Sequence, residues 1–271
     1  MSSTGSDPYS SVNRAFSKQS VNYDAEDKKN TVLQDMRRQV YDHVEHFLIP
    51  SGKILELNAG TGIDASYFAT HGHWVHATDI SDGMVHEIEK KITENNVGGR
   101  LSCQQLSYDQ LHTLSGKKFD YIFSNFGGLN CVDDLRKVTQ HLPDLLEPGG
   151  MVTFVVMPRV CLWEWLWVFT GNGGHAFRRF RRQGVLAHLE GEYLKTYYHS
   201  FRQICSAFGE KFSLVKVEGL AALSPPPARG DFPEKHPLTY RMLRKLDAFA
   251  RSHFPFNRWA DHIIATFQFN K

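Results

Sequence analysis

The sequence predicts an α/β domain built on a mostly parallel sheet, and three observations carry that prediction. Short apolar runs with strand character alternate with amphipathic segments from residue 31 to residue 157. The first run, Ile54-Leu55-Glu56-Leu57, opens directly into the small-residue turn Asn58-Ala59-Gly60-Thr61-Gly62. Loops of that kind lie where open parallel sheets meet their ligands. A composition of 41% hydrophobic and 13% aromatic residues over 271 positions supplies a core for one such domain carrying an insertion.

Residues 1 to about 20 are rich in Ser, Asn and charge and read as a mobile tail. From Thr31 to Phe47, apolar residues at Val32, Leu33, Met36, Val40, Val44 and Phe47 fit one helix face, which Pro50 and Gly52 terminate. A strand is expected over Lys53–Leu57, a helix over 64–72 ended by Gly72, and a second strand over 74–81 with Asp79 near its end. A helix over 82–96, a third strand over 101–107 and a strong fourth strand over 119–127 come next. The segment 132–150 reads as a helix ended by Pro148-Gly149-Gly150, leading into a fifth strand over 151–157. Strands and helices alternating at this rhythm imply right-handed βαβ units with both sheet faces covered. After Met157 the rhythm breaks: residues 158–200 are aromatic, Gly-rich and locally basic, as an insertion would be. Residues 201–271 hold two late strands, "FSLVKVEGL" and "ADHIIATFQF", separated by a Pro-rich stretch and a helix-like "LTYRMLRKLDAFARSHF".

Composition narrows the function classes. A formal net charge of +2 gives no whole-molecule argument for nucleic acid. No signal-peptide h-region and no apolar run long enough to span a bilayer is visible. The cysteines at 103, 131, 161 and 205 are scattered without CxxC spacing, and no His/Cys cluster has metal-ligand spacing. A cytoplasmic protein with reduced thiols and no bound metal is expected.

Three ligand types compete for the loop after the first strand. A phosphate-cradling P-loop needs Lys-Ser/Thr after the last glycine, and "GTGID" has neither. A dinucleotide fingerprint has a third glycine that is missing here, and the Glu56 carboxylate would repel a pyrophosphate. That carboxylate is compatible with an ammonium or sulfonium-bearing ligand. Asp79, closing the second strand, can accept both hydroxyls of a ribose.

Taken together, Glu56–Gly62, Asp79 in "ATDIS", "FDYIFSNFG" and "LEPGGMVTFVV" resemble class I S-adenosylmethionine-dependent methyltransferases, in the small-molecule branch that includes ubiquinone and menaquinone methyltransferases. The resemblance implies a Rossmann-like, seven-stranded, mostly parallel sheet with an antiparallel last strand and an insertion between strands 5 and 6. Residues 1–30 become a tail and lid, 31–157 the cofactor-binding core, 158–200 an acceptor lid, and 201–271 the strands that complete the sheet. The implied cofactor is S-adenosyl-L-methionine. Its methionine part is expected against Glu56, Asn58, Ala59, Gly60 and Gly62, its ribose on Asp79, and its adenine between Ile80 and Met84, positions that ordinary core packing would also explain. Leu106 and Ser107 stand where the family contacts the adenine amine, and Asn125 and Phe126 beside the transferable methyl. Tyr23 in "FSKQSVNYD" resembles the lid tyrosine of that branch, or is a surface tyrosine. Asp64 either caps the next helix or meets the cofactor. The family usually has glycine where this chain has Asn58, and Asn tolerates the positive φ such a turn needs.

The insertion holds aromatic residues beside Arg178, Arg179, Arg181 and Arg182. It reads as a substrate lid, or as a segment making transient membrane-surface contact. Either way it points to a small acceptor with a large apolar part, and the arginines to a nearby carboxylate or phosphate. The motif "SNFG" lacks the prolines that resemble amino-group methyltransferases, which favours an oxygen or carbon nucleophile. His175 and His199 are candidate general bases and Tyr198 a candidate for positioning the acceptor, while Asp261 and His262 read as structural. A nicotinamide-dependent reductase and a non-catalytic binding protein of the same fold are the competing functions. Composition and spacing leave the oligomeric state open.

Overall fold

The first five strands form where the apolar runs place them: β1 (Lys53–Leu57), β2 (Trp74–Asp79), β3 (Leu101–Gln105), β4 (Phe119–Ser124) and β5 (Leu146–Val156). In this computed structural model, which describes residues 10–166, 168 and 173–270, they pair in parallel in the order β3-β2-β1-β4-β5. Within the insertion, β6 (Val185–Leu189) and β7 (Glu192–Thr196) make a separate antiparallel hairpin. The sheet is completed by β9 (His262–Phe269), antiparallel to β5, and by β8 (Phe212–Leu220) at the edge, antiparallel to β9. The last strand is therefore the one that runs against the others, as expected, and the architecture is the Rossmann-like seven-stranded sheet. No helix among the described residues is long and apolar enough to cross a membrane.

The helices are α1 (Ser10–Lys29), α2 (Thr31–Glu45), α3 (Ile63–Thr70), α4 (Asp82–Glu94), the single turns α5 (Arg136–Thr139) and α6 (Leu142–Leu145), α7 (Leu162–Trp165), α8 (Gly173–Ala176), α9 (Phe201–Phe208), α10 (Phe232–Lys235) and α11 (Pro237–Ala250). Two of these differ from the sequence reading. Most of the supposed tail is α1, a twenty-residue helix. It docks through polar contacts rather than an apolar stripe. Ser17 Oγ lies 2.8 Å from Ser81 Oγ, Lys91 pairs with Asp24 at 2.6 Å, and Asp27 is buried on Arg37 at 2.6 Å. The segment 132–150 is broken into α5 and α6, with Pro143 inside α6, where a missing N–H prevents a continuous helix. Val138, Leu142 and Leu145 still reach the core.

The hairpin was not anticipated. Its turn residues Glu190 and Gly191 have φ of 50° and 81°, the positive pair of a two-residue I′-type turn, but Glu is a rare choice there. The insertion is pinned to the sheet by Arg179, which bonds Glu164 at 2.9 Å and Asp261 at 2.7 Å, and by Asn130, whose Nδ2 donates to the carbonyls of Met157 at 3.0 Å and Tyr197 at 2.6 Å.

A buried polar relay crosses the sheet interior. Tyr121 Oη lies 2.5 Å from Thr153 Oγ1, which lies 2.6 Å from Thr266 Oγ1, in turn 2.7 Å from His43 Nε2, while His43 Nδ1 is 2.8 Å from Glu218. It links β4, β5, β9, α2 and β8 without an unmet polar atom at any of these links. Close packing at β8 yields a prediction. A Cβ at Gly219 would sit 2.0 Å from the Phe256 carbonyl oxygen, a backbone atom that cannot swing aside. Gly219→Ala is expected to destabilise by roughly 1–3 kcal/mol, lowering Tm by about 5 °C in a thermal melt.

Candidate functional site

The carboxyl ends of β1, β2 and β4 meet at the point where strand order reverses, the crevice in which open α/β sheets hold ligands. A cavity of about 330 Å³ lies there. Its lining includes Asn58, Ala59, Gly60, Asp79, Ile80 and Met84, from the ends of β1 and β2 and the segments just after them. Leu106, Ser107, Asn125, Phe126 and Tyr23 join them from elsewhere in the chain. The structure thus brings eleven separately predicted positions to one surface.

The loop keeps its shape through unusual means. Asn58 adopts φ 47°, and its amide is engaged by the protein. Nδ2 donates to the Asn125 carbonyl at 2.9 Å, while Oδ1 accepts from Tyr108 Oη at 2.9 Å and Ser124 Oγ at 2.6 Å. Both lone pairs of Oδ1 are thereby used, leaving one N–H and the loop backbone to face a ligand. The space for this amide exists because position 128 is glycine: a Cβ there would lie 2.4 Å from Asn58 Cγ. Gly60 has φ 56° with open space beside it. Its N–H donates to Asp79 Oδ2 at 2.9 Å, and the Ser81 N–H donates to Oδ1 at 2.9 Å. Burial pushes the Asp79 carboxyl up to about 6 despite those two bonds.

Two predicted contacts stand back from the cavity wall. Glu56 is fully buried beneath the loop and its Oε2 has no hydrogen-bond partner. Burial, reinforced by the nearby Asp64 charge, pushes its carboxyl well above the usual range. Gly62 heads α3 at φ 79°, where a Cβ would meet Ile88 Cγ1 at 2.9 Å, so it serves helix packing. Asp64 does not cap α3; its carboxylate is held by Arg37, by Tyr41 Oη at 2.6 Å and by Asn125 Nδ2 at 2.8 Å.

Arg37, which sequence reasoning passed over, is the guanidinium of this wall. It pairs with Asp27 and Asp64, lies over the Phe126 ring at 4.9 Å, and has a buried Nε with no partner. In the sequence it reads as one more charged residue on the polar side of an amphipathic helix, so nothing marked it out. Tyr23 lies against it, its phenol pushed up to about 12 chiefly by burial. Phe126 takes φ 42°, a conformation that costs an aromatic residue strain and that recurs at ligand sites.

The candidates from the insertion fall elsewhere. His199 is buried with Nε2 3.0 Å from the Val132 carbonyl, and Tyr198 is buried with its ring 5.0 Å from the Arg179 guanidinium; neither lines the cavity. The His175 side chain lies outside the described residues. Arg178 and Arg179 are engaged by Glu164 and Asp261, and Arg181 and Arg182 are exposed, so none of the four lines the cavity. What the insertion contributes is the hairpin: Ala187, His188, Leu189, Leu194 and Thr196 form part of the roof, with Val12 and Phe16 of α1. Glu192 ties that roof together by pairing with Arg14 at 3.1 Å and Lys18 at 3.3 Å. Among the described residues, no cluster of His, Cys, Asp and Glu could hold a metal ion.

Comparison with known proteins agrees with this geometry. Residues 54–150 match a family model described as a methyltransferase domain. The chain is 28% identical over 148 residues to malonyl-[acyl-carrier protein] O-methyltransferase 1 of Ilyobacter polytropus, covering 53% of this chain and 50% of that protein. It is 24% identical over 125 residues to ribosomal RNA small subunit methyltransferase C of Alcanivorax borkumensis, covering 45% of this chain and 37% of the relative. The matches thus span about half or less of these curated relatives. Among solved structures, the 1,6-didemethyltoxoflavin-N1-methyltransferase of Burkholderia thailandensis superposes with a TM-score of 0.57 at 15% identity, covering 100% of this chain and 94% of that one, a likeness of fold.

The Asn58–Gly128 contact makes a paired prediction. Gly128→Ala should expel the Asn58 amide, breaking its three hydrogen bonds, and lower stability by about 2 kcal/mol. In an Asn58→Gly background the same alanine should be tolerated. A double-mutant cycle from denaturant melts checks this, with a coupling on the order of 1 kcal/mol or more expected.

Proposed function

We propose that this chain, whose residues 54–150 match a methyltransferase-domain model, binds S-adenosylmethionine in the cavity and transfers its methyl group to a small lipophilic acceptor. The observation that carries this reading is the division of the cavity wall. One part offers the Asp79 carboxylate, the Gly60 backbone, the Arg37 guanidinium and the apolar pair Ile80 and Met84. The other part is roofed by Val12, Phe16, Leu189 and Leu194.

The chemistry of these groups fits that cofactor. Asp79 keeps free lone pairs for ribose hydroxyls, since each oxygen accepts one backbone N–H. Ile80, Met84 and Leu106 provide an apolar slot for a purine. The Arg37 guanidinium, fixed in place by two acids, supplies positive charge in the wall for an α-carboxylate. Once bound, the sulfonium supplies a methyl group activated for in-line displacement, so the protein's main task is to align the acceptor.

Competing nucleophiles in the wall are kept quiet. Burial pushes the Cys131 thiol up to about 11, which leaves it protonated at neutral pH. Asp64 is neutralised by Arg37, and Asp79 holds the loop. His188 is the one histidine in the wall among the described residues, and its imidazole is the group we assign to take a proton from an acceptor that has one to lose. The roofed apolar chamber favours small acceptors such as lipophilic phenols, quinones and acids over a nucleic acid, whose backbone would need a basic approach surface.

Adding S-adenosylhomocysteine at a hundred times its dissociation constant should raise stability by ~2.7 kcal/mol in a thermal melt, with no shift from NADPH. The reverse pattern would replace this reading with a reductase. Transfer of labelled methyl to a panel of the acceptors named above tests catalysis.

The position of Asp79 adds a pH signature. Its carboxyl titrates near 6, above the ordinary value of 3.8. The charged form that accepts ribose hydroxyls is complete above that pH and is lost as pH falls through it. Affinity for S-adenosylhomocysteine should weaken as pH falls below 6 and level off at the loss that Asp79→Asn shows. Asp79→Asn should cut affinity roughly ten- to a hundredfold at neutral pH and flatten that dependence, both read by titration calorimetry.

A further inference from the structure

The outer surface of α11 is unlike that of an ordinary solvated helix. Leu238, Met242, Leu246 and Phe249 follow one another at spacings of four, four and three, which places them in a single stripe, and all four are exposed, Leu238 at 78% and Phe249 at 79%. The helix is already anchored on its other side, where Tyr240, Asp247 and Ala250 are buried. Tyr240 Oη donates to Asp35 at 2.8 Å, and Asp247 accepts the backbone N–H groups of Leu223 and Ser224 at 2.7 and 2.8 Å. The stripe is therefore surplus to the fold.

Apolar surface continues past the helix. Phe254 is 67% exposed and packs on Trp259 at 5.8 Å, and Trp259 packs on Trp165 of the insertion, also at 5.8 Å. Next to Trp165 in the chain, Leu166 is again half exposed. This chain of rings links α11 to the segment that begins where β5 leaves the cavity wall at Met157.

Charge decides what the surface fits. Arg241 and Lys245 stand one turn apart beside the stripe, both exposed, and neither enters an ion pair among the described residues. The only acid of α11, Asp247, is buried. The exposed face thus combines large apolar side chains with positive charge and carries no negative charge. A second copy of the chain pairing through this face would bring two such cationic faces together with no acid of α11 on the surface to offset them, a repulsive arrangement. Bulky apolar groups flanked by cations are what an interfacial helix presents to anionic lipid.

We propose that α11 and Phe254 dock this protein on an anionic lipid surface, the helix lying in the plane of the headgroups with Leu238, Met242, Leu246 and Phe249 inserted and Arg241 and Lys245 on the phosphates. This inference rests on the surface of α11 and not on the methyl-transfer reading.

Sedimentation of the full chain with vesicles tests it. The protein should pellet with phosphatidylcholine–phosphatidylglycerol vesicles, and much less with phosphatidylcholine alone or in high salt. Arg241→Gln with Lys245→Gln should lower partition onto the anionic vesicles about thirtyfold. Leu238→Gln with Phe249→Gln should lower it about a hundredfold. These positions are exposed, so both variants should keep the wild-type Tm, and the melt separates lost docking from lost folding. Three outcomes would overturn the proposal: no pelleting of the wild-type chain, undiminished pelleting of the Leu238/Phe249 variant, or a concentration-dependent dimer abolished by that variant in the absence of vesicle binding.

Discussion

The site depends on one buried ionic knot, in which the Arg37 guanidinium is shared by Asp27 and Asp64. All three groups are almost wholly withdrawn from solvent. Burial works against the charge on Arg37, and the neighbouring Asp64 and other anionic partners more than offset it, so its pKa is raised well above the ordinary value. A buried pair of this kind is tolerable only when its remaining polar capacity is met, because desolvation otherwise exceeds the Coulombic gain. Here Tyr41, Asn125 and Gln34 meet most of it. The knot draws together α1, α2, the first turn of α3 and the end of β4, the elements that frame the cavity. One N–H, that of Arg37 Nε, is left over, buried without a partner.

The knot also marks the division between legible and illegible features. The five parallel strands could be read because both faces of a covered sheet must be apolar, and runs such as Tyr121-Ile122-Phe123 satisfy no other arrangement so well. Asp79 and the glycine loop could be placed at one crevice because the carboxyl ends of the strands of an open parallel sheet converge there. The α1 helix could not, since it is held by Ser17, Asp24 and Asp27 rather than by an apolar stripe, and polar docking leaves no periodic signal. Arg178 and Arg179 suggested an acceptor anion, yet Glu164 lies fourteen residues before the first of them and Asp261 eighty-two residues after the second, beyond any local pattern. The hairpin escaped because its cavity-facing residues alternate irregularly and its turn uses Glu190.

The cavity has walls of two mechanical characters. Below, loops are fixed by buried hydrogen bonds such as those of Asn58 and Asn130, whose loss would leave polar groups unmet. Above, α1 and the hairpin meet across Arg14 and Lys18 with Glu192, contacts that are largely solvent-exposed and individually weak. A lightly latched roof above a firm floor can open without disturbing the hydrogen bonds beneath it. The roof residues come from the N-terminal segment and the insertion, the two regions where the chain departs most from the alternating pattern of its core.

The relay from Tyr121 to Glu218 has a directional consequence. Burial opposes the charge on Glu218, but the hydrogen bond from His43 and the cations Arg251 and Lys216 hold its carboxyl below the ordinary range, so it can only accept. His43, kept neutral by burial, must then place its single proton on Nδ1 and leave Nε2 as an acceptor. Thr266 is obliged to donate to that nitrogen, Thr153 to Thr266, and Tyr121 to Thr153. One anion at the sheet's edge thus polarises every hydroxyl along the row, and the interior acquires a fixed head and tail that no single member can reverse alone.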